Sequence, residues 1–178
     1  MTESGRREQR RLYVIDTSSI IQPRRLLSEE KGAEKDRVFA KLGQLVDDGT
    51  LAFPPQVYDE LKRHEDEKED RPFEWARKFK EQAMQGVSTD ELLAAVARVV
   101  DVVENLVDYD KPSPVDDADP YVVALALHLA DSGRAVTVIT EDRNDRADKT
   151  SMQSACALLG LPALTIRVFL KHAGIWPR

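Results

Sequence analysis

Two short apolar runs that each stop at acidic residues place the tightest limit on how this chain folds. Leu12-Tyr13-Val14-Ile15 breaks off at Asp16-Thr17-Ser18-Ser19, and Ala135-Val136-Thr137-Val138-Ile139-Thr140 breaks off at Glu141-Asp142-Arg143-Asn144-Asp145. A β-prone apolar run without polar alternation reads as a strand buried on both faces, the mark of a parallel sheet covered by helices. The segment Asp16 to Ser19 reads as a polar turn after the first strand.

The rest of the chain supplies the helices. Val38, Phe39, Leu42, Leu45 and Val46 recur at helical spacing within Asp36 to Asp48, closed by Gly49. Leu51-Ala52-Phe53 reads as a short strand, and Pro55 opens a helix through Val57, Tyr58, Glu60 and Leu61 into the charged stretch Arg63 to Arg71. Phe73 to Ala83 and Ser88 to Val107 read as two further helices, the second with Ser88 and Glu91 at capping-box spacing. A turn-rich connection, Asp108 to Pro114, leads to Tyr121 to Ala130, a helix so apolar that a central position is expected. Thr150 to Leu159 reads as a short helix, Ala163 to Ile166 as a last strand and Val168 to His172 as a closing helical turn. Four strands alternating with helices predict a three-layer α/β/α domain with a short, mainly parallel sheet.

A length of 178 residues suits one such domain, expected over residues 12–178 with a flexible basic arm at 1–11 and a helical insertion or lid at about 72–110. No apolar run approaches the roughly 20 residues that cross a bilayer, and the polar amino terminus lacks a secretory pattern, so the expected location is the cytoplasm, with no membrane partner. The only cysteine, Cys156, has no internal disulfide partner. With three histidines beside it, no thiolate or imidazole cage can be assembled, so any metal must sit on oxygen. The formal net charge of −6 opposes nonspecific adhesion to nucleic acid. It does not oppose a nuclease whose acidic pocket changes sign when a divalent cation binds. Aromatic residues make up only 6%, which argues against a base-stacking platform.

In an open parallel sheet, ligands bind beyond the carboxyl ends of the strands. Asp16 and Asp142 follow two such ends. Asp119, before Pro120, sits where the cap of the apolar helix is expected, and Glu60 lies about one turn into the helix after the second strand. Taken singly, each has a plain structural role as a cap, a loop acid or a partner of a nearby lysine. Taken together, converging carboxylates repel one another unless a cation neutralises them, which points to Mg2+ or Mn2+.

These segments resemble those of the PIN-domain nucleases, a family that includes the toxins of VapBC-type toxin–antitoxin pairs. The resemblance runs from about Tyr13 to Phe169. Val14-Ile15-Asp16-Thr17-Ser18 is similar to the opening motif, which implies Asp16 as a metal ligand supported by Thr17 or Ser18. Pro55 to Leu61 resembles the second motif, with Glu60 as its acid. Asp119-Pro120-Tyr121-Val122 resembles the third and Val138-Ile139-Thr140-Glu141-Asp142 the fourth. Two positions stay open: Asp117 stands beside Asp119 and Glu141 beside Asp142, with Asp119 and Asp142 preferred.

The resemblance implies metal-dependent cleavage of RNA, with Asp16, Glu60, Asp119 and Asp142 as ligands and catalytic acids. Thr17, Ser18 and Thr140 are then expected to hydrogen-bond the carboxylates or the scissile phosphate, and Asn144 and Asp145 to orient metal waters. Arg24, Arg25, Lys62, Arg143 and Arg146 are candidates for contact with the RNA backbone, against the plainer reading of solvated surface. A cognate antitoxin and a homodimer also follow from the resemblance.

Rival signatures fare less well. Ser18 stands where haloacid-dehalogenase-type phosphatases carry a second Asp, Ile20 breaks an Asp-x-Ser-x-Ser adhesion motif, and no glycine-rich phosphate loop occurs. Two alternatives share the fold: a PIN-like module that binds a protein partner without catalysis, and a nuclease of the same chemistry directed at DNA.

Overall fold

The computed structural model describes residues 10–27, 31–63, 70–108 and 117–176. The elements run β1 (Leu12–Ile15), α1 (Thr17–Leu26), α2 (Gly32–Asp47), β2 (Leu51–Ala52), α3 (Pro55–Arg63) and α4 (Arg71–Phe79). They continue with α5 (Thr89–Val102), α6 (Asp119–Asp131), β3 (Val136–Ile139), α7 (Met152–Leu158), β4 (Ala163–Leu164) and α8 (Ile166–His172). Most of the expected arm (1–9), most of the charged stretch (64–69) and the connection at 109–116 lie outside the described residues.

The four strands form one sheet in the order β2-β1-β3-β4, every pair parallel, with Ile15 opposite Ile139 and Val14 opposite Ala52. Its helices complete a three-layer α/β/α fold. Leu12, Val14, Ile15, Val138 and Ile139 are buried, as strands covered on both faces require. The order has one consequence for any site. The chain moves outward from β1 to β2 and then returns across β1 to build β3 and β4, so the carboxyl ends of β1 and β3 flank a topological switch point.

Helix α6 is the central helix expected from its composition. Val122 through Leu127 are all buried, and it packs on β1, β3 and α5. Ser88 and Glu91 form the capping box at the start of α5, with Ser88 N donating to Glu91 Oε2 at 2.8 Å. The two helices of the expected insertion or lid contribute to the core. Phe73, Trp75, Ala76 and Phe79 of α4, and Leu92, Ala95 and Val99 of α5, all enter the core. Gly43 of α2 makes room for this packing, because a Cβ there would lie 2.4 Å from the Phe79 ring.

Three local expectations need correction. Asp16 to Ser19 is no turn: the chain passes from β1 directly into α1, with Asp16 as the N-cap and Oδ1 accepting from Ser19 N at 2.7 Å. A polar cluster after a strand serves equally well as a helix cap, and Pro23 is carried inside α1. Asp119 is not a cap. Ala118 holds that position, and Asp119 is the first residue of the helix, which leaves its carboxylate available to other partners. Several bounds also move. Helix α2 begins earlier, at Gly32, while α4 and α5 end sooner, at Phe79 and Val102.

Candidate active site

At the switch point lies a cleft of about 270 Å³ whose wall brings together Asp16, Glu60, Asp119 and Asp142. They come from the end of β1, the middle of α3, the start of α6 and the loop after β3. Thr17, Ser18, Arg25 and Lys149 line the same cleft.

Asp16 is 2% exposed and accepts from three donors. Besides Ser19 N, its Oδ2 accepts from Ser18 Oγ at 2.8 Å and from Thr140 Oγ1 at 2.6 Å. Burial raises its pKa above the usual carboxylate value, and the hydrogen bonds from Thr140, Ser19 and Ser18 oppose that rise. Glu60 Oε2 accepts from Thr17 Oγ1 at 2.5 Å. Thr140 links two of the acids, because its hydroxyl also accepts from Asp142 N at 3.1 Å. Replacing Thr140 by Val is expected to leave Asp142 N without this acceptor and to lower stability by about 1–3 kcal/mol. Urea unfolding of the two proteins measures it.

Asp119 and Asp142 share a cation that sequence reading did not single out. Lys149 Nζ lies 2.6 Å from Asp119 Oδ2 and 3.7 Å from Asp142 Oδ2. Asp142 Oδ2 also accepts from Met152 N at 3.1 Å. Burial pushes the Asp119 carboxyl up to about 7, with neighbouring Asp117 adding to the rise and Lys149 opposing it. Burial works against the Lys149 ammonium as well, but Asp119, Asp117 and Asp142 outweigh it and hold its pKa above the ordinary value. Lys149 stands in a charged loop, and nothing in its neighbours marks it out; only the fold carries it to Asp119.

The structure separates the paired alternatives by position. Asp117 is buried and does not line the cleft, its Oδ2 accepting from Asp108 N at 2.9 Å. Glu141 turns to α8, its Oε1 accepting from Ile166 N at 2.8 Å. Asp145 also faces away from the expected water-orienting role, because it accepts from Ser151 N and Ser154 Oγ at the start of α7. Asn144 is exposed outside the cleft. Among the basic candidates, Arg25 lines the cleft and Lys62 is exposed on α3. Arg143 borders a neighbouring cavity of about 220 Å³, and Arg146 pairs with Asp108 at 2.8 Å. Arg24 belongs to α1, but its side chain lies outside the described residues. Cys156 is buried, its thiol pushed up to about 12 by burial and by Asp16.

In kind, the donor set suits a hard divalent cation, since it is all carboxylate and two of its members already hold one positive charge between them. In position it is not yet a cage. Among the described residues, no group of three acids, histidines or cysteines is arranged to hold a metal ion, with Lys149 standing between Asp119 and Asp142.

Fold and site together define an α/β/α protein with an acidic cleft at the switch point of a parallel sheet. The chain belongs to the family described as Domain of unknown function (DUF4411), which matches residues 13–176. No curated protein matches it. No helix among the described residues is long and apolar enough to cross a membrane.

Proposed function

We propose that the protein is a Mg2+- or Mn2+-dependent endoribonuclease of the PIN-like kind. The observation that supports this reading is the convergence of four carboxyl groups, from four separate segments, on one cleft where they outnumber the two basic residues, Lys149 and Arg25. Asp16, Glu60, Asp119 and Asp142 would hold the cation. When bound, it supplies activation of the attacking water and charge neutralisation at the phosphodiester.

The chain's own residues do the rest. Ser18, Ser19 N and Thr140 fix the orientation of Asp16, and Thr17 fixes that of Glu60. Arg25, exposed at the cleft, offers a phosphate contact that positions the strand without reading its sequence. A toxin role, a cognate antitoxin and a homodimer rest on the family resemblance alone.

One observation favours the non-catalytic module instead: each of the four acids already has a protein donor. Thermal unfolding separates the two readings. Bound Mn2+ is expected to raise the melting temperature of the wild type, and Asp16→Asn to abolish most of the gain. An unchanged melting temperature in both proteins would favour the module. Competition between RNA and DNA of one sequence then separates the two nuclease readings.

A further inference from the structure

We propose that Lys149 is the resident counter-cation of this cleft, bridging Asp119 and Asp142 in the metal-free protein and giving them up when a divalent cation binds. The inference rests on the metal-dependent reading above and assigns a role to a residue that reading does not use.

Geometry carries the argument. The Lys149 side chain is 11% exposed and that of Asp119 15%, so their 2.6 Å contact is a desolvated ion pair rather than a loose surface one. Asp142 at 3.7 Å makes the ammonium a bridge between two of the four acids that line the cleft. A divalent cation bound by the same two carboxylates would stand against a positive charge at contact distance, so one of the two must leave. The ammonium is the one on a flexible stem.

Its backbone is anchored. Arg146 N donates to Lys149 O at 2.9 Å and Lys149 N to Arg146 O at 3.3 Å, closing a tight turn. Thr150 N donates to Asn105 O at 2.9 Å, its hydroxyl donates to Glu104 O at 2.7 Å, and Arg146 pairs with Asp108. The turn is thus tied on both sides to the segment that follows α5. Rotation of the four-carbon stem alone withdraws the ammonium, with no movement of the sheet edge. This gives the region between α4 and α6 a second use besides its core packing: it holds the base of the competing cation in place.

The test is Mn2+ binding to the full chain, measured by calorimetry on the wild type, Lys149→Met and Arg25→Met. Met keeps a stem of similar length without the charge, and Arg25→Met makes the same charge change in the same cleft at a residue that has no ion pair among the described residues. Lys149→Met is expected to bind Mn2+ about tenfold tighter than wild type or more, and Arg25→Met to stay within about threefold of wild type. Equal tightening in both variants, or none in Lys149→Met, would overturn the counter-cation role while leaving the metal site standing. Absence of Mn2+ binding in all three would overturn the metal-dependent reading and this inference with it. A second readout needs no variant: lysine acylation of the wild type, followed by mass spectrometry, should show Lys149 becoming severalfold more reactive at saturating Mn2+. Unchanged reactivity alongside measured Mn2+ binding would also overturn the proposal.

Discussion

Asp142→Asn should lower metal-dependent RNA cleavage by at least about a hundredfold, while Glu141→Ala should leave cleavage near wild type. The size follows from comparison with outer partners, whose loss alone typically costs about 10–100-fold in metal affinity or activity, so a ligand itself should cost no less. The contrast follows from direction. Asp142 lines the cleft and shares Lys149 with Asp119, whereas Glu141 accepts Ile166 N at the start of α8. Glu141→Ala should therefore register as a stability loss of about 1 kcal/mol from an unpaired helix N–H, read by urea unfolding. A reversed pattern, with Glu141 essential and Asp142 dispensable, would mean that the loop after β3 presents the other carboxylate to the metal.

The second large effect is a pH dependence of the metal-free protein. The Asp119 carboxyl is pushed from its ordinary value of 3.8 up to about 7, chiefly by burial and then by Asp117. Between those values the folded state keeps a proton that the unfolded chain has released. The contribution of Asp119 to stability is therefore greatest below about pH 4, falls as the pH rises toward 7 by up to about 1.4 kcal/mol per unit, and then levels off. Asp16, raised by its own burial, acts with the same sign. The stability of wild type minus that of Asp119→Asn, measured in chelator at fixed ionic strength, isolates the Asp119 contribution and should fall across that window. Saturating Mn2+ should remove the fall, because the metal takes the ionised carboxylate and displaces the proton. A difference that stays flat from acid to neutral pH would show that burial does not hold the Asp119 proton.

The parts of this fold that could be read from sequence are those whose burial leaves a continuous signature. Leu12 to Ile15 and Val136 to Ile139 are covered on both faces and so appear as apolar runs, and α6 is apolar nearly all round because it packs on two strands and on α5. The capping box of Ser88 and Glu91 is a local device and is visible locally. What escaped depends on context. Asp16 to Ser19 is compatible with a turn or a cap, and only the immediate docking of α1 after β1 decides between them. Asp119 lies one position further into its helix than Asp-Pro suggests, and that single step exchanges a capping role for an ion pair.

The same distinction runs through the site. Asp16, Asp119 and Asp142 were legible because each follows or opens an element at the carboxyl edge of a parallel sheet, a position set by topology, and Glu60 because it lies about one turn into the helix that follows β2. Lys149 was not, since it is 30 residues from Asp119 and nothing about a lysine in Arg146-Ala147-Asp148-Lys149 sets it apart from solvated charge. Asp145 misled in the opposite way. It stands close to Asp142 in sequence, but the Ser151 and Ser154 donors at the start of α7 turn it away, and the Ser151 backbone N–H above all holds its pKa below the usual carboxylate range.

The most direct test of the central claim is cleavage of a labelled structured RNA by wild type and Asp119→Asn, purified in parallel, with Mn2+, Mg2+ or a chelator. Cleavage by wild type with metal, and by neither protein in chelator nor by Asp119→Asn under any condition, is the result expected from a carboxylate-held cation in this cleft. Equal cleavage by the two proteins, or cleavage by wild type that persists in chelator, would contradict it.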